Sequence, residues 1–131
     1  MCLRGASAVE EILQSTEGPL RVLVVWEPVI RTDIAPPTTH TLSRLSDVRA
    51  MQYWDPERTV SAHLVTAARA NPDWLRPQDR ARLIDDDVVV WDVALVFPAG
   101  TPWEAVPPRP VFYGGPVVRE LDAIAAAVRD R

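Results

Sequence analysis

A single cysteine, Cys2, lies directly ahead of Leu3 to Leu13, a segment whose apolar spacing predicts an amphipathic helix. Free backbone N–H groups and the dipole at the start of a helix favour a thiolate over a thiol, which makes a cysteine nucleophilic. Arg4 either supports this thiolate or is simply solvated. The alternative is a free thiol on a frayed chain end, where residue type is not constrained. Cys2 is therefore the first candidate for nucleophilic or redox chemistry.

A second candidate, Asp92, interrupts Val88 to Phe97, the longest apolar run of the chain. A carboxylate on a buried strand is costly unless it is hydrogen-bonded or has a raised pKa. Asp92 is either a proton acceptor near the Cys2 thiol or a structural group bonded to nearby backbone or an arginine. Asp55, directly before Pro56, is better explained as a helix cap than as a catalytic group.

Other polar groups lack the spacing of known sites, so we predict no metal and no cofactor. The run Asp85 to Asp87 is expected to be a solvated turn, because successive residues cannot all face one ion. His40 and His63 have no cysteine or second histidine at zinc-ligand spacing. The pair Gly114-Gly115 lacks the further glycines and the lysine of a phosphate-binding loop. The five tryptophans are expected in the core, with a ligand pocket as the alternative.

Composition predicts one globular domain over residues 1–131, with 47% hydrophobic and 24% charged residues. A net charge of −4 argues against nucleic acid as a partner, since its backbone requires clustered basic residues. One cysteine cannot form an internal disulfide, which favours a reducing compartment, the cytoplasm. We find no signal-peptide pattern and no apolar run long enough to predict a membrane partner.

The elements that must position Cys2 and Asp92 alternate between helix and strand, which is typical of an α/β fold. The predicted helices are 3–13, 38–45, 57–70, 77–84 and 117–128, and the predicted strands are 20–26, 49–54, 88–97 and 110–113. The strands at 20–26 and 88–97 are apolar enough to be covered on both faces. The proline-rich segment between Pro98 and Pro110, which joins the last two predicted strands, is expected to place Trp103 and Val106 over the core.

This order of elements resembles that of the thioredoxin-like fold without its first strand. The strings Arg21 to Val29, Tyr53 to Pro56 and Val90 to Val93 are similar to a group of bacterial thioredoxin-like proteins. The resemblance implies a three-layer sandwich around a mixed sheet, with a helical insertion in the middle. It also implies a thiol–disulfide oxidoreductase that acts on protein disulfides or a small thiol, with Cys2 as the last residue of a Cys-x-x-Cys motif. A non-catalytic binding or scaffold module is the alternative.

Two departures from the thioredoxin-like pattern affect these expectations. Met1 is expected to be an internal methionine of a longer natural reading frame. The upstream part is expected to supply a strand that lies between the strands at 20–26 and 88–97. A truncated reading frame without independent function is a further alternative. Without that strand, an exposed edge favours self-pairing into a dimer. In addition, Asp92 lies near the place where thioredoxins carry a cis-proline, so substrate binding of the thioredoxin kind is not implied.

Overall fold

The structure, a computed structural model, describes residues 3–77 and 89–130 and confirms the α/β class. Its helices are α1 (Leu3–Gln14), α2 (Thr39–Leu42), α3 (Thr59–Ala70) and α4 (Leu121–Arg129), and its strands are β1 (Val22–Trp26), β2 (Ala50–Trp54), β3 (Ala94–Val96) and β4 (Phe112–Gly114). Short 3₁₀ turns cover Pro72–Trp74 and Val117–Arg119. The predicted helix at 77–84 lies almost entirely outside the described residues, as does Cys2.

The four strands form two separate two-stranded sheets, where one mixed sheet was expected. Strand β1 pairs with β2 in parallel, with Val22 opposite Ala50 and Trp26 opposite Trp54. Strand β3 pairs with β4 in antiparallel orientation, with Ala94 opposite Gly114. No hydrogen bond joins β1 to β3 within the described part of the chain.

Helix α1 packs against both sheets through one wide apolar face. Leu13 belongs to a buried cluster with Trp26 of β1, and Ile12 belongs to a second cluster with Val96 of β3 and residues of α4. Val9, between them on the helix surface, packs against both clusters. Helix α1 therefore bridges the two sheets.

Helices cover both faces of the β3–β4 sheet. Leu95 and Tyr113 pack against Val65 of α3, whereas the neighbouring residues Ala94 and Val96 belong to the cluster that contains α1 and α4. Side chains of a strand alternate between its two faces. Helix α3 therefore lies on one side of this sheet, and α1 and α4 lie on the other.

Several predicted boundaries and environments were wrong, each for a local reason. Strand β3 begins only at Ala94, because Asp92 has φ 54°, a left-handed conformation that a strand does not accommodate. Strand β1 is covered on one face only, since Leu23 is 54% exposed. Trp103 and Val106 are exposed and do not lie over the core.

The predicted starts at 38 and 57 lie close to those of α2 and α3, whereas α4 begins at Leu121, after a 3₁₀ turn, and not at 117. Thr38 caps α2, because its hydroxyl accepts the Thr41 N–H at 3.3 Å. Helix α3 begins at Thr59 after Arg58, which has φ 58°, but Asp55 still accepts the Val60 N–H at 2.9 Å. Among the described helices, none is long and apolar enough to cross a membrane.

Candidate functional site

The carboxyl ends of β1 and β2 lie at the same edge of the parallel sheet, because Trp26 pairs with Trp54. The residues that follow, Glu27 and Asp55, are both acidic. In open α/β sheets, ligands bind outside the carboxyl ends of parallel strands. Among the described residues, this edge is therefore the expected place for a functional site.

Glu27 is a buried carboxyl group, with only 8% of its surface exposed. It accepts the Ser61 N–H at 3.0 Å and also accepts a very short hydrogen bond from the Ser61 hydroxyl. Burial raises the pKa of Glu27, and the Asp55 carboxylate raises it further, although the Ser61 hydrogen bonds act in the opposite direction. Glu27 therefore holds a proton more readily than an ordinary glutamate.

Ser61 connects three parts of the fold at this edge. Its hydroxyl donates to Glu27 after β1 and accepts the Val90 N–H, at 3.0 Å, from the segment that leads into β3. Glu27 and Asp55 together accept the N–H groups of Ser61 and Val60 in the first turn of α3. Both side chains therefore satisfy backbone N–H groups at the start of α3 that have no partner within the helix.

Asp92 lies near the same edge, two residues after Val90. Its backbone carbonyl and its Oδ1 both accept the Val117 N–H, at 3.2 and 3.3 Å respectively. Asp92 thus makes the structural hydrogen bond to nearby backbone that the sequence left open as an alternative. Its Oδ2 has no hydrogen bond to any described residue, and a role as proton acceptor stays a prediction.

Cys2 lies outside the described residues, so the site described here consists of Glu27, Ser61, Asp55 and Asp92 without it. What the structure describes is helix α1, which begins at Leu3, directly after Cys2 in the sequence. Residues 85–87 also lie outside the described residues. Residues 3–77 and 89–130, which include His40 and His63, contain no group of three His, Cys, Asp or Glu side chains that could hold a metal ion.

The sequence prediction missed Glu27 and Ser61. A usable signal was present, since an acidic residue directly follows each strand of the parallel pair. The hydrogen bond between Glu27 and Ser61 joins residues 34 positions apart in the sequence, and no local spacing reveals such a contact.

Comparisons with known proteins returned no match to a family model, to a curated protein or to a solved structure. The function of this chain must therefore be inferred from its own residues and their arrangement.

Proposed function

We propose that this chain is a thioredoxin-like domain of a reducing cytoplasmic compartment, and that Cys2 carries out thiol–disulfide exchange. The observation that carries the proposal is the described helix α1, Leu3–Gln14, which Cys2 directly precedes in the sequence. The placement of α1 and α4 on one side of β3–β4 and α3 on the other side also supports it. The single cysteine supports the reducing compartment.

The proposed reaction needs only one protein cysteine. The Cys2 thiolate attacks one sulfur of a protein disulfide, the other sulfur leaves as a thiolate, and Cys2 remains in a mixed disulfide. A small thiol such as glutathione then attacks the substrate sulfur of this mixed disulfide. That step releases the Cys2 thiolate and leaves the small thiol disulfide-bonded to the substrate. Asp92 is the proposed acceptor of the thiol proton.

The thiol pKa of Cys2 tests this proposal, because no other cysteine contributes to the signal. We expect iodoacetamide alkylation, followed across pH, to give a pKa below the reference value of about 8.5 in the folded chain. The same chain unfolded in guanidinium is the matched control and is expected to return to the reference value. A folded-state pKa at or above the reference would contradict a redox role.

The second proposed function is a non-catalytic binding module, in which Cys2 has no chemical role. A specific observation favours it: Leu23, Met51 and Tyr53 form an exposed apolar face on the β1–β2 sheet. Exposed apolar patches on monomeric proteins mark interaction surfaces. An ordinary thiol pKa for Cys2 would favour this function over the first.

A further inference from the structure

Two acidic side chains cap neighbouring N–H groups at the start of α3. Asp55 Oδ2 accepts the Val60 N–H at 2.9 Å, and Glu27 Oε1 accepts the Ser61 N–H at 3.0 Å. The same two acids directly follow the paired last residues of β1 and β2. Both constraints hold the carboxyl groups of Glu27 and Asp55 side by side, within hydrogen-bond contact of each other. We call these two residues the carboxyl pair.

The surroundings of the carboxyl pair favour one negative charge and not two. The start of α3 carries a partial positive charge, which stabilises one carboxylate, whereas two carboxylates side by side repel each other. Within the described part of the chain, no arginine or histidine forms an ion pair with either acid. The other titratable residues of the adjoining segments that make no hydrogen bond or ion pair with Glu27 there are Arg4, Glu57, Arg58, His63 and Asp92.

The two acids are held with different firmness. Glu27 is buried and accepts both the N–H and the hydroxyl of Ser61, whose oxygen in turn accepts the Val90 N–H. Asp55 is only half-buried, and its side chain accepts the Val60 N–H and no second N–H or O–H of the described backbone. Burial and the neighbouring Asp55 carboxylate raise the pKa of Glu27, so Glu27 retains the proton of the pair. When that proton leaves, Asp55 is the side chain that turns toward water more easily.

The turn between Asp55 and α3 depends on this cap. Arg58, the residue before α3, has φ 58°, a left-handed conformation that residues other than glycine, asparagine and aspartate seldom adopt. The Arg58 side chain makes no capping hydrogen bond, and its N–H donates to the Asp55 carbonyl at a long 3.4 Å. The Asp55 side chain therefore supplies the closing contact of the turn, and the strength of that contact depends on the charge of its neighbour Glu27.

We propose that the carboxyl pair is a pH-sensitive switch: Glu27 and Asp55 hold one proton between them, and its loss to solvent turns Asp55 outward and opens the first turn of α3. The hydrogen bonds from Ser61 to Glu27 persist, because an ionised acceptor strengthens them. The Val60 N–H loses its acceptor and becomes accessible to water. This switch goes beyond both proposed functions of the chain and does not depend on a redox role for Cys2.

Amide hydrogen exchange of the full chain, followed by NMR from about pH 4 to about pH 8, tests the switch. Each rate is divided by that of an unstructured peptide at the same pH, because exchange is itself base-catalysed. The protection of the Val60 amide is expected to fall at least about tenfold as the Glu27 carboxyl carbon signal titrates. The protection of the Ser61 amide is expected to stay constant over the same range.

Three variants separate the carboxyl pair from a general effect of charge. Glu27→Gln offers Asp55 an amide N–H in place of the shared proton, so the protection of Val60 is expected not to vary with pH. Asp55→Asn removes the second charge, and the pKa of Glu27 is expected to fall toward its ordinary value. Glu57→Gln, at an exposed position of the same turn, is the matched control and is expected to behave like the natural chain.

Two results would overturn the switch. One is a protection of Val60 that does not change with pH in the natural chain, or that changes to the same extent in Glu27→Gln. The other is a Glu27 titration that is the same in Asp55→Asn as in the natural chain, which would show that the two acids do not share a proton. The pH series on the natural chain needs no variant, so the test holds even where a substitution prevents folding.

Discussion

Glu27 places a carboxyl group in a buried position at the end of β1, next to Ser61 and Asp55. Burial is the largest cause of its raised pKa, so folding favours the protonated form. A group whose pKa is higher in the folded than in the unfolded chain contributes stability at low pH. That contribution is lost as the pH rises through the folded pKa.

Replacement of Glu27 by glutamine tests this linkage, since the amide keeps an acceptor for the Ser61 N–H and cannot ionise. We expect the free energy of unfolding of the natural chain, relative to Glu27→Gln, to fall as the pH rises from the unfolded value near 4.5 through the folded pKa. Urea unfolding at a series of pH values measures the difference. Glu17→Gln, at an exposed position, gives the baseline. A Glu27→Gln difference that does not vary with pH would exclude a raised pKa.

At the scale of elements, α1 is the helix on which both sheets depend. Its apolar face contributes to two clusters, and its carboxyl end is held by Arg49, which donates to the carbonyls of Leu13 at 2.5 Å and Thr16 at 2.7 Å. Arg49 is itself paired with Asp47 at 2.7 Å, and this hydrogen-bonded partner lowers the pKa of Asp47 to about 2. The end of α1 is thereby fastened to the start of β2.

Leu13 is the most buried large side chain of α1, at 1% exposure. Leu13→Ala would remove its contacts with the β1 cluster and leave a cavity, so we expect a loss of about 2–5 kcal/mol in the free energy of unfolding. Val48→Ala, at a position 97% exposed, is the control and should change stability by less than about 0.5 kcal/mol. Chemical denaturation of the two variants gives both values. A Leu13→Ala cost no larger than that of the control would show that α1 does not hold the sheets together.

At the scale of the whole molecule, local sequence patterns predicted single helices and strands better than they predicted which elements lie next to each other. The spacing of Ala6, Val9, Ile12 and Leu13 predicted α1, because the periodicity of a helix is visible in any window of its own residues. The length of β3 was not predictable in this way. An apolar run carries no sign that Asp92 has a positive φ.

The arrangement of the strands and the candidate site depended on contacts that are distant in sequence. Glu27 and Ser61 meet only because α3 returns to the end of β1. The separation into two sheets is likewise a matter of contacts distant in sequence, whereas the resemblance to thioredoxin-like proteins implied one mixed sheet. The proposed redox chemistry is therefore tested on the thiol itself.

The most direct test of the central claim is the rate at which Cys2 forms a mixed disulfide with glutathione disulfide at pH 7, followed by mass spectrometry. A helix start that favours the thiolate predicts faster exchange in the folded chain than in the same chain unfolded in urea, because more of the thiol is ionised. Asp92→Asn is expected to slow the folded-state rate if Asp92 accepts the thiol proton. A folded chain that reacts no faster than the unfolded one would contradict the assignment of Cys2 as a redox cysteine.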